Sequence, residues 1–423
     1  MARKGSSVVD KSFPKALSLA LTAIVVVAIV LLALDRQFFV EAMLSAFFAS
    51  ALAGALILHL AVAPKRDALF VIACAAVLGS IEFGVLHFSH GATIVVPLIS
   101  LLGLSSLLVF GVRTAWSRGE QRGFYLRAFL PAVLFVVSEY SASTLLQVGV
   151  SLHPKTLDLY LYLFDASLGS ELSFAAGRLL RQVPWLQVIT LIVYMGLAVP
   201  IALVAAGLVR ARNNRAIPAI LAFLLTGPAG ILFYNILPAC GPRYVFGAGF
   251  PFMPLSALQL AHLVVAPIPV AGPRNAIPSL HMAWVLLAWW NSKGLAAWIR
   301  AVVLFFLVFT VLGTLGIGEH YFIDLIVAFP FAVAVQAACD YRWPVRDARR
   351  SRPLLAGLLM TLAWMAALSF APQRLWLASP VIGWTLIGMT VFASLYLQRV
   401  STAESYREQT RAERKRVAVA AAV

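Results

Sequence analysis

The stretch AVVLFFLVFTVLGTLGIGEHYFIDLIVAFPFAVAVQAAC, residues 301–339, decides how the chain reads. Two apolar runs flank the insert Gly318-Glu319-His320-Tyr321-Phe322-Ile323-Asp324, each long enough to cross ~30 Å of hydrocarbon as a helix. Lipid offers the backbone no partners, so such runs must close their hydrogen bonds internally. Ionisable side chains are expensive at that depth and mark function where they occur. Glu319, His320 and Asp324 fall together at the turn between the runs.

The rest of the chain repeats the pattern. Of 423 residues, 61% are hydrophobic and 12% charged, where soluble domains have ~45–50% and ~25%. Disordered, collagen-like and disulfide-stapled classes are excluded, the last because there are only 3 cysteines, Cys74, Cys240 and Cys339. About twelve spans are expected, at roughly 16–34, 39–63, 68–88, 92–112, 128–150, 185–209, 216–237, 279–292, 299–317, 321–341, 353–371 and 379–398. The first is longer than a signal-peptide core and lacks a small-x-small cleavage site, so it is expected to be retained. The fold class is therefore an all-α polytopic membrane helix bundle.

The net charge of +16 comes as short basic clusters between apolar runs. That is the orientation signal of membrane proteins, and it argues against nucleic-acid binding, which needs a basic face on a folded domain. With the N-terminus cytoplasmic, 26 of the 33 Lys and Arg fall on the cytoplasmic side. Both termini are thus expected inside a multi-pass protein of the cell (plasma) membrane. Two non-cytoplasmic segments are long. Residues 151–184, with HPKTLDLYLYLFDASLG, suit a stretch lying in the membrane interface. Residues 238–278 form a Pro/Gly-rich loop.

Three clusters converge on the non-cytoplasmic ends of their helices: Cys240-Gly241-Pro242-Arg243-Tyr244, Pro273 to His281, and Gly318 to Asp324. His320 and Asp324, four apart, share a helix face. The carboxylate can take a hydrogen bond from one ring nitrogen and leave the other as an oriented nucleophile. His281, on another helix, can protonate a leaving group. Arg243 and Arg274 are forked cations suited to phosphate oxygens, and Ser279 with the free N–H groups of a helix start adds neutral donors. Two His and one Asp could also hold a metal, but two neighbouring arginines favour an anion over a dication. His59, His87, His90, Glu41, Glu82 and Glu139 are left as structural hydrogen-bonders or an unassigned polar network.

At these residues the chain resembles the type 2 phosphatidic acid phosphatase superfamily. Pro278-Ser279-Leu280-His281 is similar to that family's Pro-Ser-Gly-His motif, with Leu280 for Gly. His320 and Asp324 match its His-x-x-x-Asp. The string His-Tyr-Phe-Ile-Asp-Leu resembles the branch of inositol phosphorylceramide synthase and sphingomyelin synthase. Two departures stand out. The family's first motif has a Lys and an Arg-Pro pair where this chain has Cys-Gly-Pro-Arg-Tyr, and Gly313-Thr314 replaces the usual Ser-Arg. Arg243 is the carry-over for the first, and Arg274 is inferred to substitute for the missing Arg of the second.

The resemblance implies three regions: residues 1–126, an N-terminal four-helix membrane region; 127–341, a six-helix catalytic core; and 342–423, two further helices and a basic cytoplasmic tail. It implies a metal-independent enzyme without cofactor that acts on a membrane lipid phosphate or phospholipid through a phosphohistidine. His320 would attack, Asp324 orient it and His281 protonate the leaving alcohol; the acceptor would be water or an alcohol such as inositol. A lipid transporter or flippase without hydrolytic activity is the competing class, because six helices flank the core unexplained.

Overall fold

The structure is a computed structural model that describes residues 45–90 and 97–421. The expected span 16–34 and Glu41 lie outside the described residues, as do the beginnings of the runs 39–63 and 92–112. Contacts divide the chain into two compact units between Thr144 and Leu145.

The first unit holds α1 (Ala46–Val62), α2 (Asp67–His90), α3 (Leu98–Trp116) and most of α4 (Gly119–Leu152). The Ser45 hydroxyl caps α1 by accepting from Phe48 N at 3.2 Å. A Cβ on Gly103 of α3 would fall 2.5 Å from Leu52 of α1, so glycine permits that close approach. The helix ends are tied by buried His59, whose Nδ1 meets Ser106 Oγ at 2.9 Å and whose Nε2 meets Asp67 at 3.3 Å. Arg113 pairs with the same carboxylate. His59 is thus a structural hydrogen-bonder.

The second unit begins with β1 (Lys155–Thr156), α5 (Asp158–Ser167), α6 (Leu172–Gln182), α7 (Pro184–Met195) and α8 (Ala198–Arg210). There follow α9 (Ala216–Ile236), α10 (Pro242–Phe246), α11 (Ala257–Ala261), β2 (Ile268–Pro269) and α12 (Leu280–Asn291). It closes with α13 (Ala297–Gly316), α14 (Phe322–Cys339), α15 (Ala348–Phe370), α16 (Gln373–Ala378) and α17 (Pro380–Ala421). The two short strands pair antiparallel, Lys155 opposite Pro269; everything else regular among the described residues is helical.

Seven described helices are long and apolar enough to cross a membrane: α3, α4, α9, α13, α14, α15 and the first part of α17. The pair α7–α8, bent by 50°, makes an eighth if it counts as one span. Other expected runs fold shorter. The 12 residues of α12 rise only about 18 Å against ~30 Å of hydrocarbon.

The most enclosed span is α14. It packs against α5, α9, α12, α15 and α17. On α15, Gly357 allows the approach to α14, since a Cβ there would lie 2.6 Å from Pro330 O. Arg350 closes the C-terminus of α14 by donating to the carbonyls of Ala337 at 3.2 Å and Ala338 at 2.6 Å.

The α5 part of the segment expected in the membrane interface is buried inside the protein instead. Asp158, Leu161, Tyr162, Leu163, Phe164 and Asp165 of α5 are all buried, and the Phe164 ring meets the edges of Trp364 and Trp376. The physical reason is the pair of aspartates, seven apart on one face, which need internal donors. Asp165 finds them at the start of α14, accepting from Phe322 N and, at 3.1 Å, from Ile323 N. Burial pushes this carboxyl above its usual range while those amides draw it back.

Substitution Asp165→Ala strands these two amides at a helix start. It should destabilise the protein by about 2–4 kcal/mol, with Asp165→Asn, which keeps one acceptor, losing less. Thermal unfolding of the detergent-solubilised protein measures both; an unchanged midpoint in Asp165→Ala would refute the anchoring role.

Candidate active site

The three clusters found in the sequence are stitched together by main chain. Asp158 opens α5 and accepts from Cys240 N at 3.1 Å and Gly241 N at 2.8 Å, which fixes the loop before α10. Gly241 has φ 119°, and a Cβ there would lie 2.3 Å from Glu319 O; only glycine fits. Arg243 N then donates to Gly318 O at 3.0 Å. Ala276 N donates to Ala239 O at 3.0 Å, and Ser279 N to Asp324 O at 3.1 Å. All three loops therefore form one backbone-bonded cap over α12, α13 and α14.

Within it His320 is almost wholly buried. Its N–H donates to Thr314 O at 3.2 Å, and its carbonyl accepts from Ser173 Oγ at 3.1 Å. Its Nδ1 lies 2.8 Å from Ala276 O and 3.4 Å from Asp324 Oδ2. A carbonyl oxygen can only accept, so Nδ1 carries the proton and Nε2 of the neutral ring keeps its lone pair. Burial lowers the His320 pKa from 6.5 to about 4, with the Glu319 charge opposing.

Asp324 is fully buried, and its Oδ2 accepts from Tyr321 N at 2.8 Å. It serves the start of α14 as well as the ring. Sequence spacing makes it the partner of His320; the structure adds a nearer acceptor, the Ala276 carbonyl, which no side-chain pattern encodes.

The His281 ring stands 6.3 Å from that of His320, centroid to centroid, at 65°. It is stacked on Tyr194 of α7 at 4.0 Å and 11°, which sets its plane. Ser279 caps α12, its Oγ accepting from Met282 N at 3.4 Å. His320, His281, Asp324 and Ser279 are thus brought together.

The arginines divide. Arg243 stands at the rim, its side chain 44% exposed, with Nη1 2.7 Å from Glu319 Oε1. Tyr244 OH donates to the same carboxylate at 3.2 Å. Arg274 is buried and spent on protein acceptors: Nε and Nη2 donate to His153 O at 2.9 and 2.6 Å, and Nη1 to Val270 O at 2.9 Å and to Gly272 O. The expectation that Arg274 binds phosphate is corrected on that ground: its guanidinium pins the loop before Ala276.

Residues the sequence reading left without a role are Ala276, Glu319, Tyr194, Asp158 and Asp165. The i, i+7 spacing of the two aspartates was a legible signal; the Ala276 carbonyl had none. Among the described residues no group of three or more His, Cys, Asp or Glu is disposed to hold a metal ion.

Residues 159–338 match the PAP2 superfamily model. The match takes in all three loops and both imidazoles, and covers less than half of the chain. No curated protein and no solved structure matches the chain. The PAP2 match points to a membrane phosphoesterase of the lipid phosphatase type.

If Arg274 acts through the fold, Arg274→Lys should lower thermal stability by about 2–4 kcal/mol and reduce kcat without raising KM. Arg243→Ala should instead raise KM in a protein of normal stability. A raised KM in Arg274→Lys at normal stability would restore Arg274 as a substrate ligand.

Proposed function

We propose that this protein is an integral-membrane lipid phosphatase or phosphotransferase that works through a phosphohistidine. The observation that supports it best is the tautomer of His320, with Nδ1–H held by Ala276 O and a second imidazole 6.3 Å away. His320 Nε2 attacks phosphorus as the ester P–O bond breaks, and His281 gives a proton to the leaving alkoxide. Burial and the His320 ring lower the His281 pKa to about 3, so the negative charge of the bound phosphate must raise it for the ring to carry that proton. His281, now neutral, takes the proton of an incoming hydroxyl, whose oxygen attacks phosphorus and releases His320. Atoms and charge balance over the two half-reactions, and no metal enters them.

Asp324, 3.4 Å from Nδ1, offsets the positive charge that the ring acquires on phosphorylation. Arg243 and the neutral donors near Ser279 receive the phosphoryl oxygens. The acceptor is water or an alcohol such as inositol, the outcome in the synthase branch that His320-Tyr321-Phe322-Ile323-Asp324-Leu325 resembles. The basic clusters support a plasma-membrane placement with cytoplasmic termini and the site on the opposite face.

Purified protein incubated with a panel of lipid phosphates and phospholipids, with and without inositol, followed by mass spectrometry, identifies donor and acceptor. His320→Ala and His281→Ala should reduce turnover to background, and activity should persist in EDTA. Because Ala276 O still holds the ring, Asp324→Asn should lower kcat by roughly ten- to a hundred-fold, less than the loss at a serine-protease aspartate. His320 is already neutral well below pH 6.5, so its acid limb in kcat/KM for a phosphodiester should fall near 4. Turnover that survives in His320→Ala, or substrate movement across liposomes in that variant, would overturn the reading in favour of transport.

A further inference from the structure

Among the described residues Glu319 is the carboxylate paired with Arg243 at the rim, and the mechanism gives it no task. Its carboxylate is held by two neighbours, Tyr244 OH, which donates to it at 3.2 Å, and the Arg243 guanidinium. Its side chain is 10% exposed and occupies Arg243 at 2.7 Å. A phosphate that reaches Arg243 must therefore share the guanidinium, and the rim, with Glu319.

We propose that Glu319 is a charge filter that favours donors with a single negative charge on phosphorus, phosphodiesters, over dianionic phosphomonoesters. The inference rests on the phosphohistidine reading above. One negative charge on the phosphoryl group is answered by Arg243 at the rim; a second adds repulsion from the Glu319 carboxylate that the His281 proton, committed to the leaving group, does not offset. Like charges a few ångströms apart in a protein interior are disfavoured by on the order of tenfold or more in affinity. Besides Arg243 and Tyr244, the groups that bear on Glu319 are Cys240, Tyr194 of α7 and His320. Burial pushes the Cys240 thiol and, foremost among its causes, the Tyr244 hydroxyl up to about 12. Arg243 is thus the cation at hand to offset Glu319 near neutral pH.

The test uses the full-length purified protein in detergent micelles with dioleoylphosphatidic acid and dioleoylphosphatidylglycerol as monoester and diester probes. The readout is the ratio of their kcat/KM values, or of their competitive inhibition constants where one is not turned over. Glu319→Gln should shift that ratio toward the monoester by about tenfold or more. In the unsubstituted protein the ratio should move the same way as pH falls from 8 to 5, because the monoester takes up its second proton near pH ~6 and the diester does not. This second measurement decides if Glu319→Gln fails to fold. A ratio unmoved by the substitution or by pH, with turnover still dependent on His320, overturns the charge filter alone. Absence of His320-dependent turnover on every lipid tested overturns the function beneath it.

Discussion

The bond from His320 Nδ1 to the carbonyl of Ala276, at 2.8 Å, is the contact on which the rest of the site depends. A histidine ring alone can take either of two tautomers and turn about its side-chain bonds. A main-chain carbonyl removes both, because it has no proton to give and cannot rotate away. The ring is thereby presented with its lone pair on Nε2. The loop that carries Ala276 must then be as rigid as the helix that carries a catalytic side chain. Arg274 on one side and the Ala276 N–H bond to Ala239 O on the other supply that rigidity.

Rigid loops at the end of a helix bundle leave many backbone donors to satisfy, and this protein satisfies them with buried carboxylates. Asp158 holds the amides of Cys240 and Gly241, Asp165 those of Phe322 and Ile323, and Asp324 that of Tyr321. Each carboxylate offers several acceptor sites, so one buried residue can fix two consecutive peptide units where a hydroxyl fixes one. The desolvation penalty is offset only while those amides stay in place, which makes each aspartate and its loop mutually dependent. Such a scaffold couples α5, α12 and α14 through carboxylates set against main-chain amides and through the Ser279 N–H bond to Asp324 O. Side chains on the same loops, Arg243 and Glu319, are left to meet a ligand.

Much of this was legible before any coordinates. Apolar runs long enough to span show themselves by length, and the helices α9, α13, α14 and α15 fall on the runs expected for them. The convergence of His281, His320 and Asp324 followed from three clusters each placed at a helix end. What failed did so for identifiable reasons. Leu157 to Leu163, with alternating leucines and aromatics, reads as an interfacial stretch because that alternation outweighs the i, i+7 spacing that puts Asp158 and Asp165 on one face, and the amides they meet have no letter of their own. Arg274 reads as a phosphate ligand because a guanidinium's partners, when they are carbonyls, have no letter in the sequence. Main-chain partners were the consistent blind spot.

The same distinction between main-chain and side-chain partners divides the site into two kinds of group. Groups fixed by backbone, such as His320 and Ser279, are held by geometry that many side-chain sequences could supply. Glu319 and Arg243 are held mainly by each other, at 2.7 Å on the partly exposed rim. A pair of this kind contributes little to stability where water reaches it, because screening and side-chain entropy absorb most of the attraction. Its effect is instead on what may approach, since any anion that reaches Arg243 must compete with the carboxylate already paired to it. Rigidity at the centre and exchange at the rim thus sit on neighbouring residues: main-chain bonds fix His320, while Glu319 beside it is held by the side chains of Arg243 and Tyr244.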